Sequence, residues 1–442
     1  MMAASLTYIL SFVVAIGVLV TIHEFGHFWV ARRCGVKVLR FSVGFGKPLY
    51  SWYDKQGTEY CIAAIPLGGY VKMVDEREGD VAEEDLPHAF NRKPVLSRIA
   101  IVAAGPMINL LFAVLVYWAL LGFATTQVLV PKVGGVLPQS PAFTAQLPVN
   151  AEIVAVDTKE VISWEQIRYA LLDRMGDSGE VLIQTASHGR YPLPIDNWML
   201  GGEQIDPIKL LGIKPQLPRL PAQISKFSAD SVGYQQGLRG GDIITQISGV
   251  DIGSWNEMAG EFQANPGKEL LVTVLRSGKA EQLNITPAEI DGMGRVGIYA
   301  PALPKQVLRE VNYSLFEAFP VALKKTWSLI TLSFKSIVKM IQGQLSLDSL
   351  SGPITIAKVA GDSASQGFTS FVILLAYLSV MLGVINLLPI PALDGGHLLY
   401  FAIELIARRP LPERIQLMGL QIGMALLLVI MAVAMFNDIG RL

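Results

Sequence analysis

Long runs of apolar residues occur at four places in this chain. The first predicts a helix over 1–31, whose residues 3–22 include no charged side chain. Three more runs predict helices at 99–123, 368–406 and 415–436. About 20 apolar residues are enough for a helix to cross the hydrocarbon core of a bilayer. The pattern therefore predicts a multi-pass α-helical membrane protein with four transmembrane helices.

Basic residues flank these runs unevenly, and Lys and Arg favour the cytoplasmic ends of transmembrane helices. The flanking basic residues are Arg32, Arg33, Lys37, Arg40, Lys47, Arg92, Lys93, Arg98, Arg408, Arg409 and Arg414. We therefore predict that the loops at 32–98 and 407–414 are cytoplasmic. Both termini and residues 124–367 are then predicted to lie outside the cytoplasm.

Composition and cysteine placement agree with this topology. Only 17% of the residues are charged, against about 25% in soluble domains. The net charge of −1 argues against a nucleic-acid partner, which favours a basic surface. Cys34 and Cys61 both fall on the predicted cytoplasmic side, where thiols stay reduced, and they make a poor disulfide framework.

The predicted external segment is long enough for two small β-rich modules, at 127–215 and 220–303. In the second, residues 237–244 (Gly-Leu-Arg-Gly-Gly-Asp-Ile-Ile) run from a glycine turn into a strand pattern. This pattern resembles a PDZ domain, an α+β fold, of the permuted bacterial kind. The first module looks like a decayed copy, because residues 147–151 replace the expected glycine and aspartate. The alternative role for both modules is that of a rigid spacer.

Residues 307–367 are predicted to form an amphipathic helical segment outside the cytoplasm. Apolar residues recur at helical spacing over 307–343, with four lysines and Trp327 along the stretch. Such a helix lies on the outer membrane surface or packs against a PDZ-like module. The sequence favours neither alternative.

The first apolar helix carries His23-Glu24-Phe25-Gly26-His27, an H-E-x-x-H motif. Residues i and i+4 share one helix face, so two imidazoles can bind one Zn²⁺ with Glu24 beside them as general base. An ionisable residue inside a span costs about 2.5–3.5 kcal/mol on insertion scales, which indicates a function. The alternative is that they are interfacial polar residues that cap the span.

A catalytic zinc usually takes three protein ligands, so a third is needed beside His23 and His27. His88 lies in a polar loop and His188 on the predicted external side, which disfavours both. Asp394 and His397 remain, and they follow an apolar run broken by two prolines. A carboxylate at that depth needs a metal or another partner, so this reasoning favours Asp394 while leaving His397 open.

Six motifs together carry a resemblance over nearly the whole chain. They are His-Glu-Phe-Gly-His at 23–27, Gly-Phe-Gly at 44–46, Pro-Leu-Gly-Gly-Tyr-Val-Lys-Met at 66–73, Gly105-Pro106 with Asn109, Ser-Gly-Pro-Ile at 351–354 and Leu-Asp-Gly-Gly-His at 393–397. In this order they resemble the bacterial site-2 protease family of the RseP type, which are intramembrane zinc metalloproteases. The resemblance implies one Zn²⁺ per chain, held by His23, His27 and Asp394, with Glu24 as the catalytic residue.

Two asparagines and one polar turn are candidate substrate-binding positions. Asn109, in an apolar span, needs a polar partner, which is either the substrate or a neighbouring helix. Asn386 has the same two interpretations, and the resemblance implies that it holds substrate near the zinc.

Residues 58–73 predict a β-hairpin turning near Gly68, Gly69 and Tyr70, whose edge strand could bind an extended substrate by strand addition. The resemblance implies that this β-hairpin is associated with the membrane. The alternative is a plain cytoplasmic hairpin.

The resemblance also implies a location and partners. The protein would lie in the bacterial inner membrane, with the PDZ-like modules in the periplasm and the active site towards the cytoplasm. Its substrates would be single-span membrane proteins, above all an anti-sigma factor already trimmed outside the membrane, and also signal-peptide remnants. The second PDZ domain would bind peptide or C-terminal ligands, and both modules would exclude untrimmed substrates.

Two other classes of protein remain open. In a metal transporter, His23, His27 and Asp394 would line an ion path, but Glu24 and the PDZ-like modules would have no role. In a membrane-anchored PDZ adaptor, the polar residues inside the apolar segments would have no role. A Glu24→Gln variant that keeps zinc and loses cleavage separates both classes from a protease.

Overall fold

A computed structural model describes residues 2–77, 79–187, 189–199, 206–228, 231–290, 292–344 and 350–440. The chain divides into two compact units. One consists mainly of Thr126–Val311, and the other of Ser5–Thr125 and Asn312–Gly440.

The helices are α1 (Met2–Arg33), α2 (Val95–Phe123), α3 (Pro141–Thr144), α4 (Trp164–Leu172), α5 (Pro207–Leu210), α6 (Val232–Gln235), α7 (Trp255–Gln263), α8 (Leu315–Ile341), α9 (Pro353–Gln366), α10 (Phe368–Leu387), α11 (Asp394–Ala407) and α12 (Glu413–Gly440). Short 3₁₀ turns lie at Glu83–His88, Phe90–Arg92 and Lys305–Val307.

The strands are β1 (Val38–Tyr53), β2 (Glu59–Met73), β3 (Thr126–Leu129), β4 (Val133–Val136), β5 (Ile153–Val156), β6 (Lys159–Glu160), β7 (Gly179–Thr185), β8 (Arg190–Ile195), β9 (Ile213–Pro215), β10 (Lys226–Phe227), β11 (Ile243–Ile247), β12 (Val250–Asp251), β13 (Leu270–Arg276), β14 (Lys279–Ile285), β15 (Ala288–Ile290), β16 (Met293–Arg295), β17 (Ile298–Tyr299) and β18 (Leu308–Val311).

Four helices among the described residues are long and apolar enough to cross a membrane. They are Thr7–Arg33 within α1, then α2, α10 and α12. Helix α2 begins at Val95, directly after Pro94, and so includes a polar turn that hydropathy alone left outside the span predicted at 99–123.

The third predicted span, 368–406, is two helices rather than one. Helix α10 ends at Leu387 and α11 begins at Asp394. Pro389 and Pro391 lie between them, and proline removes backbone donors and breaks helices. Ala392 has φ = 118°, a conformation that costs a non-glycine residue about 1–3 kcal/mol. The break places Asp394 at the first turn of a new helix.

The predicted amphipathic segment 307–367 includes β18, α8 and α9. Helix α8 begins at a capping box of Ser314 and Glu317 and packs against α2 and α10. Its buried side is made of small residues such as Ala318 and Ala322, which allow close packing between helices. The sequence placed this segment on the membrane surface or against a PDZ-like module. It did not predict that α8 packs against α2 and α10.

The predicted β-hairpin over 58–73 is wrong in its pairing. Its two halves do not pair with each other, because residues 40–43 of β1 lie between them in the register. Val43, for example, has Cα partners at both Ile62 and Gly69. Within the described part of the chain, residues 69–73 pair only with β1, so they form an edge of this sheet. Hydrophobic packing of Val38 and Phe41 on α1 and α2 holds β1 in this place.

The unit Thr126–Val311 contains two modules with the same strand order. One four-stranded sheet runs β6-β5-β7-β8 and the other β12-β11-β13-β14. In each module a serine caps the helix that begins with tryptophan, Ser163 at α4 and Ser254 at α7. Each module has its own hydrophobic core. The two modules therefore share one strand order and the position of a capped helix.

Candidate metal centre

The site is built on the last turns of α1, where His23 and His27 lie one turn apart on one face. Both histidines are nearly fully buried, with 8% and 9% of their surface exposed. Helix α2 can approach this face closely because Gly26 has no side chain, and a Cβ there would overlap the backbone of Ala104. Gly105 of α2 lies directly against both imidazole rings. Two glycines on facing helices thus give the two histidines room.

Asp394 completes a cluster with these histidines. Its Oδ2 lies 3.1 Å from Nε2 of His23 and 3.4 Å from Nε2 of His27, and the two Nε2 atoms are 3.2 Å apart. These three are a group of described residues whose ligand atoms all lie within 4.8 Å of one another. Asp394 Oδ2 is buried and has no hydrogen-bond partner among the described residues.

This donor set fits a divalent cation. Two imidazole nitrogens and a carboxylate oxygen lie within 3.4 Å of one another, and such a grouping is costly in a buried place unless a cation or protons lie between the atoms. Two histidines and one carboxylate are a usual set of three protein ligands for catalytic zinc, which leaves a position for water. The ligand chemistry therefore favours zinc.

Glu24 lies beside the cluster, at the wall of a cavity of 740 Å³. Its carboxylate interacts with the backbone N–H of Val71, and Gly69 lies next to its side chain. The edge of the sheet thus runs past the candidate general base. The cavity continues from His23, His27 and Asp394 to charged residues of the loop after β2 and of α11.

The other predicted histidines are not part of the cluster among the described residues. His397 lines the cavity, three residues after Asp394. His88 is exposed, with Nδ1 3.0 Å from the carbonyl oxygen of Gly35. His188 lies outside the described residues. The geometry favours Asp394 over His397 as the third ligand.

The predicted substrate-binding residues have different environments. Tyr70 lines the cavity, Gly69 contacts Glu24, and Gly68 lies against the ring of Phe45. Asn386, in the last turn of α10, is half-buried. Asn109 is fully buried, with its Nδ2 3.1 Å from Nδ1 of His23. Its neighbour is a metal-ligand candidate, which argues against the predicted contact with substrate.

A buried ion pair beside the cavity was missed by sequence reasoning. Nη1 and Nη2 of Arg98 donate to the Glu404 carboxylate at 3.1 and 2.7 Å. The Arg98 guanidinium also lies over the ring of Phe401. The pair joins α2 to α11, the helix that begins with Asp394. The available signal was Glu404 itself, an acidic residue within an apolar helix.

Comparisons with known proteins agree with these observations. The model of Peptidase family M50 matches residues 11–430. The chain is 42% identical, over 98% of both chains, to Regulator of sigma-E protease RseP of Salmonella typhimurium, and it has the same identity and coverage with RseP of Escherichia coli. It is 39% identical, over 98% of both chains, to a putative zinc metalloprotease of Vibrio cholerae. A solved PDZ domain of an SdrC-like protein from Listeria monocytogenes covers 20% of the chain at 22% identity, with a TM-score of 0.16 that is too low to carry an argument.

Proposed function

This chain belongs to peptidase family M50 and is a zinc metalloprotease, and we propose that it cleaves peptide bonds inside the transmembrane segments of single-span proteins. One observation carries the proposal. The candidate base Glu24 and the ligands His23 and His27 lie on a helix apolar enough to span a membrane. Charged and metal-binding groups at such a depth are costly and mark a functional site.

His23, His27 and Asp394 are proposed to hold the zinc ion, and Glu24 to move the proton. Bound zinc supplies Lewis-acid activation of water and of the scissile carbonyl. Glu24 accepts a proton from the attacking water while the oxygen of that water bonds to the carbonyl carbon. Glu24 then gives that proton to the amide nitrogen as the C–N bond breaks. The position of Glu24 at the cavity wall beside the cluster supports this role.

The edge strand at residues 69–73 is proposed to bind the substrate in an extended conformation. A helical substrate hides its peptide bonds, so its backbone must be unwound before hydrolysis. The edge beside Glu24 offers backbone groups for strand addition, and Gly68, Gly69 and Tyr70 lie at its start. Asn386 is proposed to hold the same segment of substrate.

The two β-rich modules are proposed to act as PDZ domains that exclude untrimmed substrates. The protein is proposed to lie in the inner membrane, with the modules and both termini in the periplasm and Glu24 towards the cytoplasm. The uneven distribution of Lys and Arg supports this orientation. The proposed substrates are anti-sigma factors trimmed outside the membrane, and signal-peptide remnants. The names of the relatives, which refer to regulation of sigma-E, support the first class.

Metal analysis combined with cleavage of a trimmed single-span model substrate tests this function. The wild type is expected to carry one zinc per chain and to cleave within the span. Glu24→Gln should keep the zinc and lose cleavage by at least about 100-fold, since general-base catalysis contributes about 10²–10⁴-fold. Asp394→Ala should lose the zinc, whereas the matched variant His397→Ala should keep it. Zinc transport by vesicles without any cleavage by the wild type would refute the proposal.

A further inference from the structure

The two histidines of the cluster differ in what their second ring nitrogen contacts. Nδ1 of His27 lies 2.9 Å from the backbone carbonyl oxygen of Ile101. A carbonyl oxygen only accepts, so the neutral ring carries its proton on Nδ1. Its Nε2 then carries a lone pair and lies 3.4 Å from Oδ2 of Asp394. The backbone of α2 therefore sets His27 in the tautomer that binds a metal through Nε2.

Among the described residues, His23 has no such carbonyl at Nδ1. The contact there is with the amide of Asn109, whose Nδ2 lies 3.1 Å away. An amide nitrogen only donates, so this contact requires Nδ1 to accept and leaves the proton of a neutral ring on Nε2. Yet Nε2 is the nitrogen that lies 3.1 Å from Asp394 and 3.2 Å from His27. A ring cannot hold a proton and a metal on the same nitrogen.

A half-turn of the Asn109 amide removes this conflict. Its oxygen and nitrogen have nearly the same size, and rotation exchanges their places. Oδ1 is buried and has no hydrogen-bond partner among the described residues, so the turn breaks no bond made by that oxygen. In the orientation of the structure, one end of the amide already lacks a partner in the described chain. The tautomer that metal binding needs therefore decides the orientation.

We propose that Asn109 is a positioning residue of the zinc centre, whose Oδ1 accepts a hydrogen bond from Nδ1–H of His23 when zinc is bound. Metal-ligating histidines usually donate their second N–H to an acceptor that fixes the ring and its tautomer. Asn109 then does for His23 what the carbonyl of Ile101 does for His27. The full burial of Asn109 suits this role. The proposal concerns zinc binding alone and holds whatever peptide is cleaved.

Zinc affinity, measured on the purified full-length chain by competition with a chromogenic chelator, tests the proposal. Asn109→Leu removes the acceptor at similar size and should weaken zinc binding about 10–100-fold. Asn109→Asp, whose oxygens accept but do not donate, should keep most of the affinity. Ser379→Ala is the matched control, because the Ser379 hydroxyl donates to the backbone oxygen of Asn109 without reaching His23. Its zinc affinity should equal that of the wild type.

Thermal unfolding with excess chelator separates a loss of zinc binding from a loss of folding. A folded Asn109→Leu protein with wild-type zinc affinity would overturn the proposal. If Asn109→Leu does not fold, the comparison of Asn109→Asp with the wild type decides by itself. Zinc affinity retained in Asn109→Asp supports a hydrogen-bond acceptor at this position. A loss of zinc affinity of tenfold or more in Asn109→Asp would show that His23 requires the amide nitrogen, and it would overturn the proposal.

Discussion

At the scale of single residues, Gly105 determines whether the two histidines fit. A Cβ at this position would overlap Nε2 and Cε1 of His27 and crowd Cε1 of His23. These are the atoms at and beside the metal-binding nitrogens. Gly105→Ala is therefore expected to push the rings apart and to lower zinc occupancy to near zero. Zinc content of the purified protein measures this effect.

Gly17→Ala is the matched control for that substitution. Gly17 lies on α1, and an added Cβ there meets no atom within 4 Å. This variant should keep its zinc, and replacing glycine by alanine within a helix should not reduce stability. Normal zinc content in Gly105→Ala would show that the helices adapt and that the close fit is not needed.

Residue chemistry predicted some of this site and missed the rest. His23, Glu24 and His27 follow from the spacing of one helix, because i and i+4 share a face. The interaction of Asn109 with His23 joins two helices, and one sequence does not specify how α1 and α2 are rotated about their axes. The same limit left His397 open beside the favoured Asp394, since only the position of α11 shows which side chain faces the histidines.

At the scale of elements, the edge of the β1–β2 sheet can be tested with proline. Val71 pairs with Phe41, while its N–H interacts with Glu24 on the other side. Proline is tolerated on edge strands where the N–H faces away from the sheet. Val71→Pro should keep its fold and its zinc. It removes one backbone hydrogen-bond donor, and one such hydrogen bond contributes about 1 kcal/mol. The value of kcat/KM for a model substrate should fall several-fold.

Ile62→Pro is the comparison variant for this edge. Ile62 has partners on both sides, Val43 and Tyr50, so proline there breaks the sheet and should lower the melting temperature. The hairpin predicted over 58–73 did not distinguish these two positions, because β1 was not recognised as a strand. Unchanged turnover in a folded Val71→Pro protein would end the strand-addition hypothesis.

The Arg98–Glu404 pair is expected to hold α11 against α2. Both side chains are nearly buried, at 10% and 13% exposed, and breaking a buried pair costs about 3–5 kcal/mol. Arg98→Met and Glu404→Leu should each destabilise strongly, whereas the double variant should recover much of the loss. Thermal unfolding of the four proteins gives the coupling energy.

An exposed ion pair provides the control for this cycle. Arg92 and Glu76 form a pair that is 50% and 34% exposed, and exposed pairs contribute little to stability. Arg92→Met should therefore change the melting temperature little. Additive effects of Arg98→Met and Glu404→Leu would mean that the two side chains act separately.

At the scale of the whole molecule, organisation was easier to predict than contacts. Four apolar helices and an internal repeat follow from patterns that extend over many residues. The first copy lacks the glycines of the second, yet Gln146 and Asn150 have φ of 54° and 68° where Gly237 and Gly241 have 105° and 92°. The backbone of the turn is retained without its usual residue, and this similarity is visible only in the structure.

The fold also shows where the two modules can be removed. Strands β3 and β18 pair in register from Thr126↔Val311 to Leu129↔Leu308, and Val130 N–H donates to the carbonyl of Val307. This pair closes the segment 131–306, so replacing that segment by a short glycine-rich turn should leave the two strands as a hairpin. If the modules exclude untrimmed substrates, the deletion variant should cleave the trimmed and untrimmed forms of a single-span substrate at similar rates.

Gel analysis of substrate in cells or vesicles measures this difference, since the wild type should cleave only the trimmed form. The same deletion carrying Glu24→Gln is the control, and it should cleave neither form, because any cleavage must come from the zinc centre. Zinc content and cleavage of trimmed substrate show whether the deletion is intact. An intact deletion that leaves untrimmed substrate whole would show that selection lies in the membrane unit, where the edge strand and the cavity would then have to discriminate.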